Sequence, residues 1–165
     1  MKLRKFEQSD SAIICNWVKD KKTLYQWSAD KIGSFPLNGN ELNEVYTKMG
    51  KDVIPLTAVD DENKTIIGHM FIKYLDEMNK KIVRFGFVIV SPSFRGQGCG
   101  KKMLQLAITY VKEVLNASQI TLGVFVNNPI ARHCYESIGF NSNDKSRICK
   151  FGNEEWQCDE MEITL

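Results

Sequence analysis

The sequence lacks a long apolar run and a strong net charge. No apolar stretch approaches the roughly 18 residues of a membrane-spanning helix. Residues 1–10 contain no apolar signal core, so we expect a cytoplasmic protein without a membrane partner. The 22 basic and 20 acidic side chains leave a net charge of +2, which is too small to indicate nucleic-acid binding. With 165 residues and 43% apolar side chains, the chain has the length and composition of one globular domain.

Residues that bind metals or form disulfides are also few. The sequence has five cysteines, an odd number with no C-x-x-C pair, which favours free thiols in a reducing compartment. Neither His69 nor His133 has a metal-like spacing to a cysteine, so we expect no metal. The cysteines are Cys15, Cys99, Cys134, Cys149 and Cys158.

Periodicity predicts a mixed order of strands and helices. Strands are expected at residues 3–6, 53–59, 65–75, 81–90 and 119–126, and as two further strands from Phe140 onward and over 154–163. Helices are expected from Ser9 or Asp10 to Trp17, over 40–49, after Arg95, and over 129–137, whereas 21–36 looks irregular. The apolar run 85–90 is typical of a central strand covered on both faces. These elements predict an α/β domain over residues 1–165, with a mixed, mostly antiparallel sheet and helices on both faces.

The most informative segment is VIVSPSFRGQGCGKKM, from Val88 to Met103. A buried strand runs into a loop with three alternating glycines, at which an amphipathic helix begins. The first turn of a helix has unpaired N–H groups and partial positive charge, and glycine lets an anion approach them closely. The segment is therefore typical of a phosphate-binding site, with Arg95, Lys101 and Lys102 adding positive charge.

Two common phosphate loops do not match this segment. A Walker A loop requires glycine at the position of Arg95 and Ser or Thr at the position of Lys102. A dinucleotide fingerprint requires a third glycine at Lys101 or Met103. A nucleotide-binding function is therefore disfavoured by the spacing.

The pattern [QR]-x-x-G-x-[GA] does match, as Arg95-x-x-Gly98-x-Gly100. It resembles the coenzyme A pyrophosphate loop of the GNAT superfamily of N-acetyltransferases. The residues that lead into the loop, VSPSFRG from Val90, are similar to the V-x-P-x-[YF]-R-G motif that usually precedes it in that family. About 30 residues later, NPIARHCYESIGF from Asn128 to Phe140 resembles the family's second signature. The resemblance is close over roughly residues 81–140 and loose over the first 50.

The resemblance implies a V-shaped splay between the fourth and fifth strands, which hold the pantetheine arm of acetyl-coenzyme A. It implies an acetyl-coenzyme A-binding core at 81–140 and acceptor-side helices at 1–50. A backbone N–H of the fourth strand would stabilise the developing oxyanion. The implied cofactor-binding residues are Val88, Ile89, Val90, Arg95, Gly96, Gln97, Gly98, Cys99, Gly100, Lys101, Asn128 and Tyr135.

By the resemblance, Tyr135 is the catalytic acid that protonates the leaving thiolate, since a thiol has a pKa of about 8.5 and tyrosine one of about 10. Asn128 would bind the pantetheine arm. Each residue also has a structural interpretation: Val88 and Val90 as core, Tyr135 as a helix side chain packed on the sheet, and Asn128 as the cap before Pro129.

The general base cannot be assigned from the sequence. The family's glutamate positions correspond here to the segment 84–87, which has no glutamate, and to Gly123. A water relay, Asp76, Glu77 and His69 are the alternatives. The N-terminal aromatic residues form either an acceptor wall or plain core, and they are Trp17, Tyr25, Trp27 and Phe35.

The acceptor also stays open between a protein α-amine, a lysine and a small molecule such as a polyamine, an amino acid or an antibiotic. The leading hypothesis is direct acetyl transfer to a primary amine in a ternary complex. The alternative is a non-catalytic acyl-coenzyme A-binding module that senses or regulates. The C-terminal strands could pair between chains in a homodimer.

Overall fold

A computed structural model describes residues 1–29, 31–76, 78 and 80–165. Its strands are β1 Lys2–Lys5, β2 Val53–Val59, β3 Ile66–Tyr74, β4 Ile82–Val90, β5 Gln119–Phe125, β6 Asn141–Phe151 and β7 Glu154–Thr164. Its helices are α1 Asp10–Cys15, α2 Lys21–Ser28, α3 Glu41–Met49, α4 Cys99–Tyr110, with a π-helical extension over Val111–Leu115, and α5 Pro129–Glu136. None of the helices in these ranges is long and apolar enough to cross a membrane.

One seven-stranded sheet has the order β1-β2-β3-β4-β5-β7-β6. All neighbouring strands are antiparallel except β4 and β5, which pair in parallel only from Ile82 with Gln119 to Arg84 with Thr121. Since β4 continues to Val90 without further pairing to β5, the two strands separate beyond Arg84. The predicted mixed, mostly antiparallel sheet and the gap between its fourth and fifth strands are therefore confirmed.

Helices cover both faces of the sheet and bury two apolar cores. On one face, α4 contributes Met103, Leu104 and Ala107, whose spacing of one, three and four residues places them on a single helical stripe. On the other face, α1, α2 and α3 contribute buried residues such as Ile14, Leu24 and Leu42. We call these the α4 core and the acceptor-side core.

A β-bulge in β4 lets this strand supply side chains to both cores. Phe71 of β3 is opposite Gly86 and His69 is opposite Ile89, so β4 has one residue more than β3 in this interval. Phe87 lies at the bulge with φ of 50°. As a result, Phe85 packs in the α4 core and Phe87 in the acceptor-side core, although only two residues separate them. This confirms that the strand is covered on both faces.

The prediction that residues 21–36 are irregular is wrong for their first half, which forms α2. Asp20 caps this helix by accepting a hydrogen bond from the backbone N–H of Thr23 at 2.6 Å. The helix buries Leu24 and Trp27, which lie three residues apart on one face. With eight residues, it is too short for a clear periodic signal, and the breakers Gly33 and Pro36 lie beyond its end.

Asp10 connects α1 to the sheet through hydrogen bonds to β1 and β2. The guanidinium of Arg4 donates to both carboxylate oxygens of Asp10, at 2.6 and 2.8 Å, and the hydroxyl of Thr57 donates at 2.8 Å. Burial alone would raise the pKa of Asp10, but these hydrogen bonds outweigh it and hold the pKa below its ordinary value. The carboxylate therefore stays ionised and holds α1 beside β1 and β2.

Candidate active site

A narrow cleft of about 60 Å³ opens where β4 and β5 separate. It brings together residues of α2, β4, β5 and α5 that are far apart in sequence. The lining residues are Gln26, Trp27, Phe85, Gly86, Phe87, Val88, Leu122, Gly123, Val124, Phe125, Asn128, Ala131 and Tyr135. Of the sequence-predicted site residues, Val88, Asn128 and Tyr135 line this cleft.

The remaining two predicted residues of β4 lie beside the cleft. The N–H of Ser91 donates to the carbonyl of Ile67 at 2.9 Å. Because antiparallel pairs alternate, the N–H and C=O of Val90 point away from β3, towards the gap beside β5. The carbonyl of Val90 accepts a hydrogen bond from Nε of Arg95 at 3.0 Å. The side chain of Ile89 packs in the acceptor-side core and its backbone is paired with His69 of β3, so Ile89 does not line the cleft.

The glycine loop follows directly and begins α4. Gly96 and Gly98 have φ of 73° and 74°, and a Cβ on either residue would have no atom within 4 Å. In the described part of the chain, no side chain caps the N-terminus of α4. The N–H groups of the first helical turn therefore have no side-chain cap, and the glycines before them leave room for a large anion. The pyrophosphate of coenzyme A fits this arrangement.

Side chains of the loop hold its shape and charge. Nε2 of Gln97 donates to the carbonyl of Ser93 at 2.9 Å and closes the turn. A Cβ on Gly100 would lie 3.5 Å from Val90, so the helix begins close against the end of β4. Cys99 is half-buried, and Lys101 is exposed on the first turn. Burial raises the pKa of the Cys134 thiol, and the charge of Lys101 opposes this rise.

Tyr135 and Asn128 reach the cleft from opposite ends of α5. Burial raises the pKa of Tyr135, and the neighbouring thiols of Cys134 and Cys158 add to the shift, so its phenol keeps its proton at neutral pH. The side chain of Asn128 accepts from the N–H of Ala131 at 3.2 Å, as a helix cap does. Tyr135 thus lines the cleft with a protonated phenol, and Asn128 caps α5.

A charged cluster lies beside Gly123, at the closed end of the cleft. Glu160 of β7 is directly opposite Gly123, and Arg84 donates to its two oxygens at 2.6 and 3.0 Å. Arg147 donates to the same carboxylate. Burial alone would raise the pKa of Glu160, but Arg84 and then Arg147 outweigh it, so the carboxylate is ionised and a weak base. This cluster could not be predicted from the sequence, because the cross-strand neighbours of Gly123 depend on the order of strands in the sheet.

Burial prevents His69, the histidine candidate for a general base, from contacting an acceptor amine directly. His69 is fully buried, and its Nε2 lies 2.6 Å from the hydroxyl of Tyr46. Burial lowers the pKa of His69 to about 3, with the charge of Asp10 opposing the shift. The ring packs against Phe6 and Tyr46 rather than lining the cleft.

Of the two acidic candidates the structure describes Asp76, which does not line the cleft. Asp76 is exposed in the β3–β4 turn, at the end of β4 opposite the glycine loop, and accepts a hydrogen bond from the N–H of Met78 at 2.8 Å. Glu77 lies outside the described residues. Across the described ranges, no group of three or more His, Cys, Asp or Glu side chains is placed to hold a metal ion.

Helix α2 contributes two lining residues from the segment predicted to be irregular. Nε1 of Trp27 donates to the carbonyl of Phe87 at the bulge, at 2.8 Å. Nε2 of Gln26 donates to the backbone carbonyl of Asn127 at 2.9 Å. Helix α2 therefore spans the cleft from β4 to the β5–α5 connection. Of the other three aromatic residues of the N-terminal set, Trp17 and Phe35 pack in the acceptor-side core, and Tyr25 also packs against Phe151.

A splayed strand pair, a glycine loop at the start of a helix and a buried phenol of α5 at the cleft are the features that the sequence resemblance implied for an acyl-coenzyme A-dependent transferase. The model of the acetyltransferase (GNAT) family matches residues 21–140. Spermidine N(1)-acetyltransferase of Vibrio cholerae is 30% identical over 139 residues, which cover 84% of this chain and 77% of that protein. Its counterpart from Escherichia coli is 27% identical, with 86% and 73% covered.

The same fold occurs in solved structures. The crystal structure of spermidine N-acetyltransferase from Vibrio cholerae in complex with CoA and spermine aligns with a TM-score of 0.80 and 23% identity, over 99% of this chain and 94% of that one. The chain belongs to the GNAT acetyltransferase family. It is an N-acetyltransferase that uses acetyl-coenzyme A, as the sequence predicted, and the non-catalytic alternative has no support.

Proposed function

We propose that this enzyme acetylates a primary amine of a small polyamine such as spermidine, by direct attack of the amine on acetyl-coenzyme A. The observation that carries the proposal is the cleft between β4 and β5, which holds Val88 and Tyr135, beside the strand β4 that leads into the glycine loop. The polyamine is chosen because relatives that match more than four-fifths of the chain are named spermidine acetyltransferases. The names of these relatives indicate a polyamine as the acceptor and do not indicate a protein amine.

Acetyl-coenzyme A supplies the activated acetyl group, and the chain positions it. We assign the pyrophosphate to the N–H groups at Gly98, Cys99 and Gly100, with Arg95 and Lys101 supplying positive charge. The pantetheine arm would lie along the gap, against the backbone of Val88 and Val90. A β4 backbone N–H would then stabilise negative charge on the thioester oxygen.

Tyr135 would deliver its proton to the coenzyme A sulfur as the thioester bond breaks. Burial raises the pKa of this phenol, which keeps it protonated at neutral pH but also makes it a weaker acid, so the role is supported by the position of Tyr135 in the cleft. Its place on α5, facing the same cleft as Val88, supports the assignment of the reacting carbonyl to this part of β4.

The acceptor amine must lose a proton before it attacks, since a primary ammonium has a pKa of about 10.4. We infer that this proton passes to solvent water. The two guanidiniums of Arg84 and Arg147 share the one carboxylate of Glu160, so this group of three side chains has a net charge of +1. Positive charge near an ammonium lowers its pKa, so the cluster favours the free amine without a dedicated base.

The test is a panel of amines incubated with the purified protein and acetyl-coenzyme A, with free thiol release as the readout. Spermidine and spermine should be acetylated far faster than a peptide α-amine, a lysine side chain or an amino acid. Fast turnover of a peptide or amino acid with slow turnover of both polyamines would refute the proposed acceptor. Mass spectrometry of the product then locates the acetylated nitrogen.

A further inference from the structure

Beside the mouth of the cleft lies a group of four aromatic rings from different elements, which we call the aromatic cluster. It consists of Tyr25 of α2, Phe125 of β5, Phe151 of β6 and Trp156 of β7. Tyr25 and Phe151 stack with centroids 4.3 Å apart and planes at 15°. Trp156 lies edge-on to Phe151 and to Phe125, at 5.0 and 5.6 Å.

The aromatic cluster is continuous with the cleft. Phe125 lines the cleft and also contacts Phe151 and Trp156. Tyr25 immediately precedes Gln26 and Trp27, which line the same cleft. An extended acceptor whose amine lies in the cleft would therefore pass over these rings as it leaves.

The four rings differ in solvent exposure, and two of them are accessible to a ligand. Phe125 and Phe151 are buried and form a floor, whereas Tyr25 and Trp156 are only half-buried. The exposed carboxylate of Glu154 is held beside the indole, because Nε1 of Trp156 donates to it at 2.8 Å. An ammonium here would meet aromatic faces and a carboxylate together, and a methylene chain would meet apolar surface.

Two ion pairs of the β6–β7 hairpin lie near the rings: Arg147, on the same face, pairs with Glu160, and the Lys150–Glu155 pair lies on the opposite face. Side chains alternate along a strand, so Glu154 and Trp156 share one face and Glu155 points to the other. Glu155 pairs with Lys150 at 3.1 Å, which keeps this lysine away from the cluster. Glu154, which accepts from the Trp156 indole, is therefore the charged group in direct contact with the rings.

We propose that the aromatic cluster and Glu154 bind the distal, non-reacting ammonium of the acceptor and the methylene chain that leads to it. This inference rests on the proposed polyamine acceptor and adds a subsite for it. The reacting amine lies towards the net positive cluster at Gly123, and the far ammonium lies towards Glu154. The two ends of the acceptor are thus distinguished by charge.

Steady-state kinetics on full-length variants test the subsite, with spermidine and with butylamine, a monoamine that has no distal ammonium. Glu154→Gln and Trp156→Leu should each raise KM for spermidine by about two- to fivefold, the range of an exposed cation–π or ion-pair contact. The kcat and the KM for acetyl-coenzyme A should stay unchanged, as should KM for butylamine. Glu155→Gln, on the same strand but the opposite face, is the matched control and should change none of these values.

These kinetic results separate the proposed subsite from the proposed acceptor. If KM for spermidine rises in Glu154→Gln and Trp156→Leu but not in Glu155→Gln, the subsite is supported. An unchanged KM for spermidine in the first two variants, or an equal rise for butylamine, overturns the subsite and leaves the proposed acceptor intact. Failure of the wild-type protein to acetylate any polyamine overturns both. Because Glu154→Gln keeps an acceptor for the indole N–H, it remains informative if Trp156→Leu loosens α2.

Discussion

Substituting alanine for Gly123 tests the arrangement of charges at the closed end of the cleft. A Cβ on Gly123 would lie 2.8 Å from Nη2 of Arg84, 3.0 Å from the sulfur of Cys158 and 3.3 Å from Nη2 of Arg147. The flexible guanidinium of Arg84 must then move and weaken its paired hydrogen bonds to Glu160. Both partners of this ion pair are mostly buried, with 24% and 17% of their side chains exposed.

A hydrogen bond to a charged group contributes about 1.5–3 kcal/mol, so we expect Gly123→Ala to lower the free energy of unfolding by about 1–3 kcal/mol. For a chain of this length, each kcal/mol corresponds to roughly 2–4 °C in Tm. Denaturant unfolding followed by circular dichroism measures the change. Gly100→Ala is the control, since its Cβ would have only ordinary contacts, the nearest at 3.5 Å, within a helix.

The same substitution in a Glu160→Gln background isolates the cause. There the Arg84 pair is already weakened, so Gly123→Ala should cost less than it does in the wild-type protein. If Gly123→Ala is as stable as the wild type, or costs the same in both backgrounds, the account of the charged cluster is wrong.

Two further predictions concern His69 and the glycine loop. The pKa of His69 is about 3 in the folded state against 6.5 in the unfolded chain, so between these values the unfolded state binds the extra proton. The contribution of neutral His69 to the free energy of unfolding is therefore complete above about pH 6.5 and falls with pH, by about 2 kcal/mol at pH 5. Unfolding curves at several pH values should show that the free energy of unfolding depends less steeply on pH in His69→Gln. The control His133→Gln, at an exposed position, should leave this dependence unchanged. Gly98→Ala and Gly152→Ala both place a Cβ at positive φ in open space, so each should cost about 1 kcal/mol of stability. Calorimetry should show weaker acetyl-coenzyme A binding only for Gly98→Ala, and equal binding in the two variants would refute the loop assignment.

Much of the fold follows from local patterns. The β2–β3 hairpin has two β-rich runs around a polar turn, and the start of α5 has Asn128 as a cap before Pro129; the structure contains both elements as predicted. The glycine loop was recognisable because its function depends on backbone freedom at fixed spacing, which the sequence records directly.

The remaining features depend on contacts between distant segments. Helix α2 has a weak local signal and is stabilised by burying Trp27 against the bulge of β4, whose extra residue follows from pairing with β3. The burial of His69 depends on α3, which places Tyr46 over it. Glu160 is beside Gly123 only because β7 inserts between β5 and β6 in the sheet.

The central claim is that acetyl transfer occurs in the β4–β5 cleft with Tyr135 as the proton donor, and Tyr135→Phe tests it most directly. The ring and its packing remain while the hydroxyl is lost, so the variant should bind acetyl-coenzyme A with unchanged Kd by calorimetry. Its kcat for spermidine should fall by about 10²-fold, the lower range of general-acid effects. An unchanged kcat would contradict the account, and so would a loss of acetyl-coenzyme A binding that explains the whole decrease.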